Sequence, residues 1–357
     1  MLSNTSALTL SLKEKLDFIP ALASIVLAAF CSILTGLWRT ERQAQSFFLH
    51  IGYAIFRKAT SRLSPLQMQA VMPTTNKIYE QYIKKTRQLP DTVNLGNGAL
   101  GHWVGDKNAE NVLVWYHGGG FSLPANLGYF NFFERVIEDM RKAGKSICVF
   151  SLTYTLAPHA TYPTQLRQAV ECLRHVLEKP THAPRNVFIG GDSAGGNLVG
   201  GVLSHIAHPH PQITPLSVDE NLGGAIMVAP WTMLETDFTG QDIYAGGDLI
   251  TTAVAGPWAG AYLGSAKRDY YTDLSLAPTD WYHDFKVNSV LITGGGNEIL
   301  LPIIQDFAAK FQAGFSPVEL FIGRRECHVA PIYNLYIGDQ TETQQGKRMK
   351  EWLRENL

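Results

Sequence analysis

Short apolar segments alternate with helical segments over most of this 357-residue chain. The period-2 or continuously apolar runs predict strands at residues 92–95, 100–104, 112–116, 146–153, 186–189, 223–228, 289–293 and 318–322. Between them, amphipathic runs predict helices at residues 162–178, 194–207, 299–313 and 341–357. Because most of these strands are apolar throughout, we expect helices on both faces of the sheet. The sequence therefore predicts an α/β fold with a mostly parallel central sheet flanked by helices.

The same pattern divides the chain into three parts. Residues 1–42 form an N-terminal segment with an uncharged apolar run at 18–38, and residues 43–90 are amphipathic and predict a helical contribution to a cap. Residues 91–357 carry the α/β core, in which the alternation lapses at about 231–286. A structureless loop of that length would be unusual, so we expect an insertion with some helix of its own that completes the cap.

The apolar run at 18–38 is long enough to cross the hydrocarbon core of a bilayer as a helix. We expect a single-pass membrane anchor there, for which the endoplasmic reticulum is one location. Lys13 precedes the run and Arg39 follows it, so flanking charge does not choose an orientation. Two alternatives stay open: a buried cap helix in a cytoplasmic protein, favoured by Pro20, and a cleaved signal peptide, disfavoured because no small-residue cleavage site precedes Trp38.

Charge and composition exclude several classes of partner. The formal net charge of -1 gives no general attraction to nucleic acid, so we expect no nucleic-acid partner. The four cysteines show neither the paired spacing of a zinc site nor a disulfide framework. His205, His208 and His210 lie close together without an accompanying carboxylate, so the sequence predicts no metal site.

A nucleophilic serine is predicted at Ser193. The run from Gly191 to Gly195 fits G-x-S-x-G and lies between a predicted strand and a predicted helix, where a sharp turn exposes the hydroxyl and requires small neighbours. The N–H of Ala194, at the start of that helix, is expected to face a developing oxyanion. A glycine-rich helix start that serves packing alone is the other interpretation, and the position between strand and helix disfavours it.

A second glycine-rich run follows the predicted strand at 112–116. Its residues are His117 and three glycines, and backbone N–H groups without side chains can approach a carbonyl oxygen closely. We expect Gly118 and Gly119 to donate to the oxyanion and His117 to fix the shape of the loop. A flexible turn is the alternative, but this run directly after a strand and upstream of G-x-S-x-G is a specific combination.

A serine nucleophile needs a base and a carboxylate that orients the base. Glu298 follows one predicted strand and His328 follows the next, so both are expected at the carboxyl edge of the sheet. The sequence predicts His328 as the base and Glu298 as the acid. Asp306 is the second choice for the acid, because it lies about two turns into a helix and would reach His328 less easily.

These motifs resemble the hormone-sensitive-lipase-like branch of the α/β-hydrolase superfamily. The resemblance runs from about residue 112 to the C-terminus and rests on YHGGGF at 116–121, GDSAGG at 191–196, SLTYTLAPHATYPTQL at 151–166, and the late Glu298 and His328. It implies an α/β-hydrolase fold with a helical cap, no cofactor, and hydrolysis of carboxylic esters. Glu298 stands where that branch usually has Asp. The chain also has a softer resemblance to hydrolases of fungal secondary-metabolite clusters.

The sequence thus predicts a serine hydrolase that forms an acyl-enzyme on Ser193 and cleaves a small apolar or polyketide-like ester. Aromatic residues of the insertion are expected either to line the substrate pocket or to form ordinary cap core, and they are Trp231, Trp258, Tyr262, Trp281 and Tyr282. Two other functions stay open. One is a catalyst of condensation or cyclisation in a biosynthetic pathway, and the other is a non-catalytic ligand receptor on a hydrolase scaffold.

Overall fold

The structure is a computed structural model that describes residues 8–179, 181–236, 238 and 246–357. Its centre is an eight-stranded sheet in the order β1-β2-β4-β3-β5-β6-β7-β8. The strands are β1 Thr92–Gly96, β2 Ala99–Val104, β3 Asn111–Tyr116, β4 Ile147–Thr153, β5 Val187–Asp192, β6 Gly224–Val228, β7 Val290–Gly295 and β8 Val318–Gly323. β2 runs antiparallel to β1 and β4, and every other neighbouring pair is parallel.

Helices account for half of the remaining described residues. They are α1 Leu12–Thr35, α2 Phe47–Arg62, α3 Pro65–Val71, α4 Thr75–Thr86, α5 Leu127–Lys142, α6 Thr164–Leu177, α7 Ala194–Ala207, α8 Ala255–Leu263, α9 Leu301–Gly314, α10 Ala330–Ile337 and α11 Gln344–Asn356. β3, β5, β6 and β7 are buried at every position, as predicted for strands covered on both faces. The predicted α/β fold with a mostly parallel sheet is confirmed.

The segments outside the sheet are also largely helical. Residues 43–90 contain α2, α3 and α4, and each of these helices begins at a serine or threonine whose side chain accepts from a backbone N–H of the first turn. The insertion after β6, where strands and helices cease to alternate, contains α8 and short 3-10 turns. Part of that insertion, residues 237 and 239–245, lies outside the described residues.

Four parallel strands bring their carboxyl ends to one edge of the sheet. β3 leads into the loop that begins at His117, β5 leads into Ser193, β7 ends three residues before Glu298, and β8 ends five residues before His328. In an open parallel sheet this edge is where ligand sites form. The fold therefore collects all of the predicted site residues on one side of the molecule.

Candidate active site

Ser193 occupies a strained turn between β5 and α7. Its φ of 51° and ψ of -117° lie in a region that non-glycine residues rarely adopt, and such strain is typical of a nucleophile held at a strand-to-helix turn. The turn packs tightly: a Cβ on Gly195 would lie 1.8 Å from the carbonyl oxygen of Tyr116. This close approach of α7 to β3 explains the last glycine of the G-x-S-x-G pattern.

His328 and Glu298 are in contact. His328 Nδ1 lies 3.2 Å from Glu298 Oε1, where the ring N–H can donate to the carboxylate. The other carboxylate oxygen, Oε2, accepts from the backbone N–H of Gly295 at 2.5 Å, which fixes the carboxylate to the end of β7. Glu298 is fully buried and His328 is 3% exposed, so bulk water does not weaken the contact. Asp306, the alternative acid, is exposed on α9 and is not placed to contact the imidazole.

Two opposed effects set the pKa of His328. Burial lowers it, but the hydrogen bond and charge of Glu298 raise it, with further contributions from the charges of Asp248 and Asp192. The net result is a pKa above the usual value for histidine. A base with such a pKa is readily protonated, which is what a group that receives a proton from a serine must do.

Ser193 and His328 face the same cavity. Both line one pocket, and the free space in this pocket together with its open mouth is about 580 Å³. Among the described residues, no hydrogen bond joins the Ser193 hydroxyl to His328 Nε2, an arrangement common in unliganded active sites, where such contacts tighten on substrate binding. The structure thus brings Ser193, His328 and Glu298 together, while their catalytic roles stay predictions.

The structure of the glycine loop contradicts the prediction for one of the oxyanion donors. The N–H of Gly118 donates to Tyr129 Oη at 3.0 Å and to Asp192 Oδ1 at 3.1 Å, so it is not available to a substrate oxygen. The prediction for Gly118 is therefore wrong. Gly119 and Gly120 line the cavity beside Ser193 instead. Within the described part of the chain their N–H groups, like that of Ala194, have no hydrogen-bond acceptor.

The carboxylate of Asp192 binds this glycine loop. This carboxylate is fully buried and accepts from Gly118 N, from Tyr129 Oη at 2.7 Å and from Trp115 Nε1 at 3.2 Å. Burial raises its pKa to about 6, although these donors act to lower it. Sequence analysis gave Asp192 no role. The sequence signal for such a role is that Asp192 lies directly beside the nucleophile in an apolar region, where burial of a carboxylate is unfavourable unless donors satisfy it.

His117 is part of the loop and is not placed as a base. Its Nδ1 contacts the carbonyl oxygen of Gly118 at 2.9 Å, and its ring stacks on Tyr154 at a centroid distance of 4.2 Å. Burial lowers its pKa to about 4, so the ring is neutral at pH 7. These contacts agree with the expectation that His117 fixes the shape of the loop.

The cavity is almost entirely apolar. Its described walls come from α2, the cap insertion and the loops after β3, β5, β7 and β8, and they include Phe56, Leu123, Phe238, Leu249, Ile250, Val254, Ala255, Ile299 and Leu300. The hydroxyl-bearing residues Thr60, Thr251 and Tyr333 also line it. Such walls favour an apolar ligand held by few polar contacts.

Two of the five aromatic residues singled out in the insertion line the cavity. Trp231 and Trp258 do so, whereas Tyr262 stacks on Phe121 at 3.6 Å between centroids. Trp281 and Tyr282 pack elsewhere: Trp281 stacks on His208, and the hydroxyl of Tyr282 donates to the carbonyl oxygen of Leu274 at 2.5 Å. Of the five aromatic residues, two therefore line the cavity as predicted for a substrate pocket, and the other three pack as ordinary core.

The described residues contain no group of three or more His, Cys, Asp or Glu side chains placed to hold a metal ion. His205, for instance, uses both ring nitrogens within the fold: Nδ1 accepts from the backbone N–H of His210, and Nε2 lies 3.1 Å from the carbonyl oxygen of Thr214.

Comparison with known families identifies the fold. A model of the α/β-hydrolase fold matches residues 113–331, which include most of β3, all of β4 to β8 and every predicted catalytic residue. The chain belongs to the α/β-hydrolase fold family. A solved esterase from the bacterial hormone-sensitive lipase (HSL) family superposes with a TM-score of 0.61 at 20% identity, covering 88% of this chain and 99% of that one. The α/β-hydrolase fold that the motifs imply is confirmed, whereas the softer resemblance to hydrolases of fungal secondary-metabolite clusters stays a prediction.

Curated relatives match over shorter stretches of their own length. Steryl acetyl hydrolase 1 of Saccharomyces cerevisiae is 25% identical over 246 residues, which are 64% of this chain and 56% of the yeast protein. The carboxylic ester hydrolase LipN of Mycobacterium tuberculosis is 32% identical over 152 residues, which are 40% of this chain and 37% of LipN. This α/β hydrolase therefore aligns with about half or less of these relatives.

Proposed function

We propose that this α/β hydrolase is a serine carboxylesterase. The observation that carries the proposal is the buried contact between His328 and Glu298 beside a strained Ser193 at the base of an apolar cavity. The names of the relatives, a steryl acetyl hydrolase and a carboxylic ester hydrolase, support the same reaction. The remaining question is how each group would act.

Acylation begins with the proton of Ser193. His328 Nε2 accepts that proton while Ser193 Oγ attacks the ester carbonyl carbon, and Glu298 stabilises the imidazolium that forms. The carbonyl oxygen becomes an oxyanion and accepts from the N–H groups of Gly119, Gly120 and Ala194. The imidazolium then protonates the leaving alcohol as the C–O bond breaks, which leaves an acyl-enzyme on Ser193.

Deacylation repeats the sequence with water. His328 takes a proton from water, the hydroxide attacks the acyl carbonyl, and the same N–H groups stabilise the second oxyanion. The proton returns to Ser193 Oγ as the carboxylic acid leaves. No cofactor takes part in either half of this reaction.

The substrate in this proposal is an ester with an apolar acyl or alcohol group of small to moderate size. The support is the apolar lining of this cavity, in which no described side chain is charged apart from a protonated His328. The yeast relative is named for the hydrolysis of steryl acetates, which are also apolar esters. A role in secondary-metabolite biosynthesis stays a prediction.

We also propose that α1 binds a membrane. By length and composition, one helical stretch among the described residues, Leu12–Trp38, could cross a bilayer, and its most apolar 18 residues have a mean hydropathy of 2.2. Most of its large apolar side chains point outward: Leu16, Ile19, Val26 and Phe30 are each more than half exposed, whereas Phe18 and Ile25 are half-buried against the core. Small residues such as Ala21 and Ser32 occupy its buried side. This distribution is the reverse of that on a surface helix in water.

The polar end of α1 is tied to the rest of the protein. Asp17 forms an ion pair with Arg62 of α2 at 2.5 Å, and the carbonyl oxygen of Glu14 accepts from Gln67 of α3. A buried cap helix would place its large apolar residues toward the core, so the outward exposure of the large apolar side chains supports membrane binding over that alternative. Removal of residues 1–39 tests the proposal: an active protein that no longer sediments with membranes supports it, and loss of folding supports the cap helix.

The esterase proposal is tested with p-nitrophenyl acetate, butyrate and octanoate, together with fluorophosphonate labelling, on the wild type and on Ser193→Ala. Labelling and turnover that both disappear in the variant would support Ser193 as the nucleophile. Labelling without turnover would favour a specialised condensation or cyclisation substrate. A folded wild type that neither labels nor turns over any ester would refute the proposal and favour a ligand receptor.

A further inference from the structure

A second buried carboxylate, Asp248, lies behind the His328–Glu298 pair. It comes from the cap insertion just before Leu249 and is fully buried. Asp248 Oδ1 accepts from the backbone N–H of His328 at 2.9 Å and from that of Leu249 at 2.7 Å. Asp248 Oδ2 accepts from the backbone N–H of Ile299 at 2.9 Å, directly after Glu298. One carboxylate thus joins the loop of the base, the turn of the acid and the cap.

We propose that Asp248 is a positioning residue that sets the alignment of His328 with Glu298 and, by its charge, stabilises the protonated imidazole. The inference rests on the proposed esterase function and adds to it a residue that does not touch the substrate. The His328 loop and the Glu298 turn follow different strands, and Asp248 bonds to the main chain of both. A shift of either loop would change the 3.2 Å contact between Nδ1 and Oε1.

The surroundings of Asp248 explain why a charge there affects His328. The ionisable groups that face it are Glu298, Cys327 and His328 from the loops after β7 and β8, and Tyr53 and Arg57 from α2. In the described part of the chain no Lys or Arg side chain forms an ion pair with its carboxylate, and Arg57 donates instead to its backbone carbonyl oxygen. The carboxylate therefore acts on two cations of the described residues, Arg57 and the imidazolium of His328, and of these only His328 belongs to the predicted triad.

Burial makes Asp248 a costly choice for packing alone. It raises the pKa of Asp248 to about 6, while the charge of His328 and the N–H donors lower it and the nearby charge of Glu298 raises it. A carboxylate without an ion-pair partner is unfavourable in a protein interior unless several donors satisfy it. Three main-chain donors do so here, and two of them belong to the segments that carry the predicted base and acid.

Asp248→Asn keeps the shape of the side chain but removes the charge and one acceptor. Two oxygens serve three N–H groups in the wild type, whereas the amide nitrogen of asparagine would face one of those N–H groups, donor against donor. Either the His328 loop or the Glu298 turn then loses its partner. We expect kcat to fall by about 10²-fold, the size of a small misalignment of catalytic groups, with little change in KM.

The pH profile separates this role from a purely structural one. Removal of the Asp248 charge lowers the pKa of His328, because an anion that favours the imidazolium is lost. The esterase needs neutral His328, so kcat/KM falls as the pH drops below the pKa of that group. The acidic limb of the profile should accordingly move to lower pH in Asp248→Asn. Its midpoint does not depend on how much of the variant folds.

Asp273→Asn is the matched control. Asp273 is also a fully buried carboxylate of the insertion, and it accepts from the N–H of Leu234, the hydroxyl of Thr272 and the guanidinium of Arg268, away from His328 and Glu298. The two variants and the wild type are compared by active-site titration with a fluorophosphonate, by kcat and KM for p-nitrophenyl butyrate, and by the pH dependence of the labelling rate. Asp273→Asn should keep the wild-type kcat per titrated site and the wild-type midpoint.

The outcomes distinguish this inference from the esterase proposal. A lower kcat per titrated site with a midpoint at lower pH in Asp248→Asn alone supports the inference. An active wild type whose kcat and midpoint are unchanged in Asp248→Asn overturns the inference and leaves the esterase proposal intact. A shift of equal size in Asp273→Asn also overturns it, since any buried charge would then do the same. A wild type without labelling or turnover overturns the esterase proposal and the inference with it.

Discussion

Replacement of Glu298 by glutamine tests the proposed acid most directly. At 3.2 Å, and with an effective dielectric constant of about 20, the carboxylate stabilises an imidazolium by about 5 kcal/mol. Glutamine loses this charge, and its amide nitrogen must face either His328 Nδ1 or the N–H of Gly295. At about 1.4 kcal/mol per factor of ten, we expect kcat to fall by about 10³- to 10⁴-fold, the range known for amide replacement of the acid in a serine triad.

The assay is hydrolysis of p-nitrophenyl butyrate over a range of pH. Because Glu298 raises the pKa of His328, the residual activity of Glu298→Gln should show its acidic limb at lower pH than the wild type. Asp306→Asn is the control, since Asp306 is exposed on α9 and should leave both the rate and the limb unchanged. A Glu298→Gln variant that folds and stays within about tenfold of wild-type kcat would refute the role of Glu298.

Three further variants test the loop, the pocket and the membrane helix. In Gly120→Ala the new Cβ would lie 2.0 Å from Trp258 Cε3, so we expect the glycine loop to be displaced. We expect kcat to fall by about 10²- to 10³-fold, the loss that follows removal of one oxyanion donor. A variant that keeps the wild-type kcat would contradict the role of Gly120 as a donor. Trp258→Ala enlarges the cavity and should raise kcat/KM for the octanoate relative to the butyrate, whereas an unchanged ratio would argue against a wall at Trp258. The double variant Val26→Lys, Phe30→Lys places two positive charges on the outward face of α1. It should co-sediment less with vesicles that contain no anionic lipid, and it should keep its esterase activity. If the variant co-sediments as much as the wild type, α1 does not bind membranes through that face.

The core strands could be predicted closely because each is an apolar run between turn residues. The run at 318–322 corresponds to β8 at Val318–Gly323, and the helix predicted at 194–207 coincides with α7. α5 was not predicted, although Phe130, Phe133, Val136 and Met140 form an amphipathic pattern that could have revealed it. α10 offers no such pattern, because six of its eight residues are buried and a short helix buried on most sides has no polar face.

The residues that would react could be predicted because chain order and strand ends locate them. Ser193, Glu298 and His328 each follow a parallel strand, so their common edge follows from topology alone. Which of Gly118 and Gly120 donates to the oxyanion could not be predicted from the sequence. It depends on where one N–H points, and Tyr129 and Asp192, which bind that of Gly118, lie 11 and 74 residues away in sequence.

Asp192 and Asp248 show why such supports escape sequence analysis. Asp192 binds the backbone N–H of the oxyanion loop, and Asp248 binds that of the His328 loop from 80 residues away. A backbone N–H is present at almost every residue, so the donor side of each contact leaves no mark in the sequence. The acceptor is visible only as an acidic residue in an apolar neighbourhood, where its burial would be unfavourable without donors. An isolated Asp within a mostly apolar stretch that borders a predicted site is therefore a sound candidate for a residue that positions the catalytic loops.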